Sequence, residues 1–274
     1  VIGEITHTFF AGMSTAGVLL AAIAAYKILQ GGHAADLFAK VMKDILAFTL
    51  IGLLGVAGAG HMHAQYLKEV QPMKLSAMEA LWETEDPAPF AAFAIINEDK
   101  MQNDFEITIP AMFSFMVYNK PAGEIKGIRD LQEEAVQMYG SDNYVPNVTA
   151  LFWAFRIMVG AGGLMILITG AALLLAMRGK LADKRCMLKV LLYSLPLPFI
   201  ANSVGWFVTE SGRQPWIVVG LQKTVDAVSP NLTTTDIWLT IIGFTLIYLV
   251  LIVFALGVAI RFIKTSPSPE RSAA

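Results

Sequence analysis

Five stretches of this 274-residue chain are apolar for long enough to cross a membrane as helices, which limits the possible folds more than any other feature. They cover about residues 8–29, 41–60, 150–177, 187–210 and 236–263. A spanning helix needs about twenty mostly apolar residues, because the hydrocarbon core of a bilayer is roughly 30 Å thick. A hydrophobic share of 55% and a charged share of 15% agree with this reading. We therefore predict an all-α, polytopic membrane helix bundle with about five transmembrane helices and one long extracytoplasmic loop.

The connections between these segments differ in charge, and this difference predicts their orientation. Basic residues gather in three of them: Lys27, Lys40 and Lys43; Arg178, Lys180, Lys184, Arg185 and Lys189; and Arg261, Lys264 and Arg271. With five spans all three lie on one side, which the positive-inside rule makes cytoplasmic, and the acidic 66–148 loop lies outside. The expected organisation is helices one and two in 1–65, the loop in 66–148, helices three to five in 149–264 and a cytoplasmic tail in 265–274.

This topology puts Val1 outside the cytoplasm, although no signal-like charge pattern precedes the first span. We therefore expect the chain to be a processed, split or truncated piece of a longer protein. Its single cysteine, Cys186, excludes a disulfide framework and a cysteine-ligated cluster. There is no phosphate-binding loop and no basic stripe for nucleic acid. Four His and thirteen Met leave isolated axial ligands as the plausible metal chemistry.

Polar residues inside or beside the spans are the functional candidates, because a charge in hydrocarbon needs a partner. Glu210 follows Trp206 by one turn, and Arg213 extends that face before Pro215. Glu210 is expected to meet a positive group, and the plain alternative is an interfacial Glu210–Arg213 pair. Arg156, within the third span, indicates a carboxylate or a haem propionate as its partner.

Other candidates are ambiguous when judged from the residues alone. His7 lies beside a strip of small residues that suits a haem, but the residues alone favour an interfacial histidine bonded to a carbonyl. Met158 alone would be a core filler. Lys74 and Glu79 alone would be loop charges. Pro196 and Pro198 predict a kink in the fourth span.

Four motifs resemble subunit I of the cytochrome bd quinol oxidases. They are GWFVTESGRQPW, FWAFRIMVGAGG, QPMKLSAMEALWE and the His-Thr-x-x-x-Gly pattern that begins at His7. The resemblance spans essentially the whole chain but only the later part of that family's subunit. It implies that His7 and Met158 are the axial ligands of the low-spin haem b, and that Glu210 ligates the high-spin haem b. It also implies that Trp206 lies between haems, and the geometry of arginine makes Arg156 and Arg213 candidates for propionates.

The resemblance further implies quinol oxidation at Lys74 and Glu79 on the outer side of a prokaryotic cytoplasmic membrane. Electrons would then pass through the two b haems toward an oxygen-reducing haem d. The family's haem d takes a histidine from earlier helices that this sequence lacks. The expected partners are therefore a polypeptide that supplies those helices, subunit II, possible small accessory subunits and membrane lipid. Without them the chain is not expected to reduce oxygen.

Two other functional classes stay open at this point. A membrane b-type cytochrome that carries electrons from quinol to a partner other than oxygen needs no haem d. A chlorin absorption band from the assembled complex would separate the oxidase from this carrier. A transporter would be colourless and should show repeats and interrupted helices in both halves. The residues do not distinguish ubiquinol from menaquinol.

Overall fold

The computed structural model describes residues 2–265, so Val1 and the predicted tail beyond Thr265 lie outside the described residues. The helices and strands occur in the following order: α1 (Ile2–Gln30), α2 (His33–Val70), α3 (Pro72–Glu79), β1 (Phe90–Asn97), β2 (Gln102–Ile109), α4 (Met112–Tyr118), α5 (Ile128–Tyr139), α6 (Val148–Met177), α7 (Arg185–Tyr193), α8 (Pro196–Ser211), β3 (Trp216–Val218), β4 (Gln222–Lys223) and α9 (Thr234–Lys264).

Five spans within the described residues are long and apolar enough to cross a membrane, which confirms the predicted number. Four of these spans are single helices, namely α1, α2, α6 and α9. The remaining span, which lies between α6 and α9 in the chain, combines α7 with α8. That span is interrupted at Ser194 and Leu195, directly before Pro196 and Pro198. Because proline has no amide hydrogen to continue the helical ladder, this break is the predicted kink. The all-α fold class is confirmed, and the structure adds two short β-hairpins that the sequence analysis did not predict.

Small residues allow α1 and α2 to pack closely. A Cβ at Gly17 would collide with Thr49, and one at Gly55 would collide with the Phe10 ring. A Cβ at Gly52 would lie only 3.0 Å from the hydroxyl of Ser14. These glycines therefore bring the two backbones together, as small residues do where transmembrane helices cross.

The segment between α2 and α6 forms a compact layer rather than an open loop. Its apolar core includes Trp82, Phe113 and Ile128, and it continues into α6 through Leu151 and Phe152. β1 and β2 pair as an antiparallel hairpin over this core. The layer therefore has a fixed position on the end of α6. By contrast, no residue of α9 is buried, which agrees with a lipid-facing or packing span.

Candidate functional site

Lys74 lies on α3, where Pro72 begins the helix without a lost hydrogen bond. Its side chain is buried, and Nζ donates to the backbone carbonyl of Thr209 at 3.3 Å, near the end of α8. Burial and the nearby Arg213 lower the pKa of Lys74 to about 8, against the opposing effects of Glu4 and Glu210. This ammonium group therefore remains largely charged at neutral pH, although it lies in a dry environment.

Glu79 ends the same short helix, but its carboxylate contacts a different part of the protein. The side chain is 2% exposed, and Oε2 lies 2.7 Å from Nη2 of Arg156 on α6. Ala80 adopts a left-handed conformation (φ 51°), which stops α3 directly after Glu79. Burial raises the pKa of Glu79 to about 7, against the opposing effect of the Arg156 guanidinium. The group can therefore gain and release a proton close to neutral pH.

Arg156 connects three elements through its guanidinium group. Besides Glu79, it donates to the carbonyl of Met78 at 2.5 Å and, through Nε, to the carbonyl of Ala91 at 2.9 Å. The guanidinium also lies 3.5 Å from the centre of the Phe152 ring. The carboxylate expected beside Arg156 is thus Glu79, which the sequence analysis had assigned to a separate role.

Glu210 and Arg213 form a direct ion pair at the end of α8, as the plainer alternative from sequence predicts. Arg213 Nε, however, is buried without a hydrogen-bond partner among the described residues. Trp206, one turn before Glu210, is 68% exposed. Its indole therefore lies on the outside of the described bundle, on the side that carries the carboxylate.

His7 and Met158 lie on different helices, each beside a glycine of a neighbouring helix. A Cβ at Gly60 on α2 would lie 3.2 Å from Cε1 of the His7 ring. Nδ1 of His7 is buried and has no hydrogen-bond partner in the part of the chain that the structure describes. On α6, the Met158 sulfur faces Gly205 of α8, where a Cβ would lie 2.9 Å from Sδ.

An aromatic cluster that the sequence analysis missed joins the extramembrane layer to the β3–β4 hairpin after α8. Tyr144 stacks on Trp216 at 5.6 Å with an interplanar angle of 12°, and Tyr139 meets the same indole edge-on at 5.0 Å. Lys223 of the hairpin forms an ion pair with Asp142 at 2.5 Å. Trp216 is the last residue of the GRQPW motif, so the motif draws attention to this position in the sequence. The aromatic partners of Trp216 are not predictable from the motif, because they lie about 70 residues earlier in the chain.

The structure therefore divides the predicted site residues into two neighbouring groups. Lys74 approaches the α8 end that carries Glu210 and Arg213, whereas Glu79 pairs with Arg156 on α6. The short helix α3 contributes to both groups. His7 and Met158 contact other neighbours, on α2 and α8 respectively.

Comparison with known proteins agrees with the motifs. The chain is 40% identical over 262 residues to cytochrome bd ubiquinol oxidase subunit 1 of Bacillus subtilis, which covers 95% of this chain and 56% of that protein. It is 28% identical to cytochrome bd-II ubiquinol oxidase subunit 1 of Escherichia coli, over 98% of this chain and 63% of the relative. The bd oxidase structure from Geobacillus thermodenitrificans superposes with a TM-score of 0.82 at 26% identity, covering 97% of this chain and 58% of that one.

The chain thus spans 56% to 63% of the length of these curated relatives. The family model described as cytochrome bd terminal oxidase subunit I matches residues 1–267. Because that match includes nearly every residue, the chain belongs to the cytochrome bd terminal oxidase subunit I family.

Proposed function

We propose that this chain is the quinol-oxidising, haem-bearing part of subunit I in a bd-type quinol oxidase. The observation that carries the proposal is the position of α3 between two other helices. Lys74 binds the carbonyl of Thr209, one residue before Glu210, and Glu79 binds Arg156, two residues before Met158. Both residues assigned to quinol therefore touch the helices that bear the proposed haem ligands.

Three independent features of the described residues are compatible with a bound haem. Nδ1 of His7 and Nε of Arg213 are buried polar atoms without partners among the described residues. A Cβ at Gly12 or Gly58 would meet nothing within 4 Å, so space remains for a flat group beside these backbones. An imidazole nitrogen and a thioether sulfur are also the donor pair typical of a six-coordinate electron-transfer haem.

In this proposal His7 and Met158 hold the low-spin haem b, and Glu210 holds the high-spin haem b. Trp206 would lie beside the latter. Arg213, whose Nε has no partner among the described residues, is the candidate for a propionate contact, whereas Arg156 already donates to Glu79 and to the carbonyls of Met78 and Ala91. The bound haems supply one-electron acceptance, which none of the protein side chains provides. Haem d is shared with the polypeptide that contributes the earlier helices, and subunit II completes the complex.

The chain's own residues bind the quinol and manage its protons. The charged Lys74 ammonium donates a hydrogen bond to one quinol oxygen and holds the head group against the end of α8. Glu79 accepts a proton as the quinol is oxidised, because its pKa near 7 leaves it partly ionised at neutral pH. Arg156 orients that carboxylate and stabilises its ionised form. The acidic layer that contains both residues lies outside the cytoplasm, as the basic 178–189 connection favours.

The test is co-expression of this chain with a polypeptide that supplies the earlier helices of subunit I and with subunit II, followed by spectroscopy and quinol oxidation assays. We expect b-type bands, a chlorin band and quinol-dependent oxygen uptake. Lys74→Ala and Glu79→Ala should lower turnover about 100-fold while both b-haem spectra persist, since such groups contribute roughly 10²-fold or more. Lys120→Ala and Glu133→Ala, on the exposed surface of the same layer, are matched controls that should retain activity. Bands of b type without a chlorin band would instead support a carrier to another acceptor.

A further inference from the structure

A cavity of about 230 Å³ has Glu79 among its lining residues. Its walls come from the segment after α3, the β1–β2 hairpin and α5, and its charged or amide side chains include Glu79, Glu83, Glu85, Asn103, Glu106 and Arg129. The volume has room for roughly seven waters at ~30 Å³ each. Glu79 is buried, whereas Glu85 and Glu106 are exposed. The lining therefore includes both the buried Glu79 and residues at the surface of the layer.

Asn103 fixes one carboxylate to the cavity wall. Its Nδ2 donates to Oε2 of Glu106 at 2.7 Å and to the carbonyl of Ala80 at 3.1 Å. Its Oδ1 accepts from Nε1 of Trp82 at 2.9 Å, so the orientation of the amide group is determined. Ala80 directly follows Glu79. Asn103 thus ties Glu106 to the backbone next to the buried acid.

The carboxylates that line the cavity differ in whether a cation compensates their charge. Arg156 of α6 pairs with Glu79. Arg129 of α5 pairs with Glu83 at 2.5 Å, which compensates that carboxylate. Within residues 2–265, the exposed Glu85 and Glu106 form no ion pair, so this part of the lining carries uncompensated negative charge, which attracts a cation such as hydronium. Burial, with Glu106 and Glu83 nearby, raises the pKa of Glu85.

We propose that this cavity is the route by which protons released from the quinol leave for the outer surface, with Glu106 and Glu85 as its outer carboxylates. The proposal rests on the proposed function. Each quinol that becomes quinone loses two electrons to haem iron and two protons. The two protons move one after the other to the Glu79 carboxylate and from there to water in the cavity. That water passes a proton to Glu106 or Glu85, from which it reaches bulk solvent, and Glu79 returns to its ionised form.

The experiment compares proton release with haem reduction in the complete oxidase complex that contains this chain. Quinol is mixed with the oxidised complex in a stopped-flow instrument, with a pH-indicator dye in weakly buffered H₂O or D₂O. In Glu85→Gln/Glu106→Gln, glutamine keeps the size and the hydrogen bond from Asn103 but does not take up a proton. Proton release should slow about 5-fold to 10-fold with a larger solvent isotope effect, while KM for quinol stays within about twofold.

Two further variants separate this role from a structural one. Glu133→Gln removes the same charge from an exposed position on α5 that lines a different cavity, and it should release protons at the wild-type rate. Glu106→Asp alone should also retain most of the wild-type release rate. Release in the double variant that matches Glu133→Gln would overturn the proposal. A raised KM for quinol in the double variant, with proton release at the normal rate, would also overturn the proposal, because it would mean that the cavity binds the quinol itself.

Failure of the proposed function gives a different result. If quinol does not reduce the wild-type complex, both proposals are overturned together. Normal reduction of the wild-type complex, with unaltered proton release in the double variant, would overturn the release route alone.

Discussion

Gly212 lies directly against the methylene stem of Lys74. A Cβ at position 212 would come within 2.8 Å of Lys74 Cγ and 3.0 Å of Cδ, and within 2.6 Å of the Val208 carbonyl oxygen. Protein interiors have few gaps large enough to absorb such an overlap. The glycine of the GRQPW motif therefore leaves the space that Lys74 needs to reach the carbonyl of Thr209.

Gly212→Ala should accordingly impair quinol oxidation. The added methyl group displaces Lys74 from the end of α8, and we expect kcat/KM for quinol to fall about tenfold, as small misplacements of a positioning group commonly do. Steady-state oxidation by the complete complex measures this effect. Gly243→Ala on α9 is the matched control, because a Cβ there would meet nothing within 4 Å. Equal activity of the two variants would contradict the proposed role of Lys74.

The Arg156–Glu79 pair is expected to be important for stability as well as for chemistry. Arg156→Met leaves a buried carboxylate without its cation, and such a loss costs about 3–5 kcal/mol. Thermal unfolding followed by circular dichroism should show a clearly lower Tm. Lys126→Met is the control, because it removes an exposed pair with Glu134 whose side chains are 49% and 47% exposed. That change should cost less than ~1 kcal/mol.

The destabilisation by Arg156→Met should also depend on pH. In the unfolded chain Glu79 loses its proton near its ordinary pKa of 4.5, whereas burial holds the folded-state pKa higher. Stability of the variant therefore falls as pH rises above the unfolded value. The loss relative to wild type should be larger at pH 8 than at pH 6. The double variant Arg156→Met/Glu79→Gln, which has no buried charge, should recover part of the lost stability; recovery of none would argue against the pair.

The membrane-spanning part of the fold was predictable from sequence, because the length and apolar composition of each segment are enough to identify a spanning helix. The position of Arg156 within an apolar segment likewise predicted a buried anionic partner for its side chain. Its identity as Glu79 was not predictable, because the two residues are 77 positions apart and their meeting depends on how the extramembrane layer packs on α6.

The extramembrane layer itself was the least predictable part. The strands β1 and β2 lie within residues 66–148, which the sequence analysis described only as a long extracytoplasmic loop. The two strands pair with each other and pack against α6. A short apolar run that is buried in this way has no hydrophobic periodicity that distinguishes a strand from a buried helix, so the sequence does not predict the pairing. The Asn103–Glu106 contact and the Tyr144–Trp216 stack both depend on that packing.

The pH dependence of quinol oxidation should be bell-shaped. In the proposed mechanism the ionised form of Glu79 accepts the proton, so kcat/KM should rise with pH through its pKa of about 7 and be about tenfold lower one unit below it. The charged form of Lys74 is proposed to bind the quinol oxygen, so kcat/KM should fall again above a pKa of about 8. The profile is measured from initial rates between about pH 5.5 and about pH 9.5. This range of roughly four units includes the pKa values of both Glu79 and Lys74. Glu79→Gln should abolish the rise on the acid side, and a profile unchanged by this substitution would exclude Glu79 as the acceptor.

The last prediction concerns the proposed ligands of the low-spin haem. Met158→Leu removes the thioether but keeps an apolar side chain of similar volume, so packing against Gly205 changes little. We expect the low-spin b signal to be lost or converted to a high-spin form, and its reduction potential to fall, because methionine ligation raises the potential. His7→Ala should remove the same signal. Redox difference spectra of the purified complex test both.

Met165→Leu provides the matched control for this experiment. Met165 lies seven residues after Met158 on α6, close to two helical turns, and is 5% exposed in a cluster with Val18 and Leu53. The same substitution there should therefore leave the low-spin spectrum intact. An unchanged spectrum in Met158→Leu would exclude this methionine as a ligand. Equal loss in the Met165 variant would attribute the effect to packing of α6, because only Met158 is proposed to contribute its sulfur to iron.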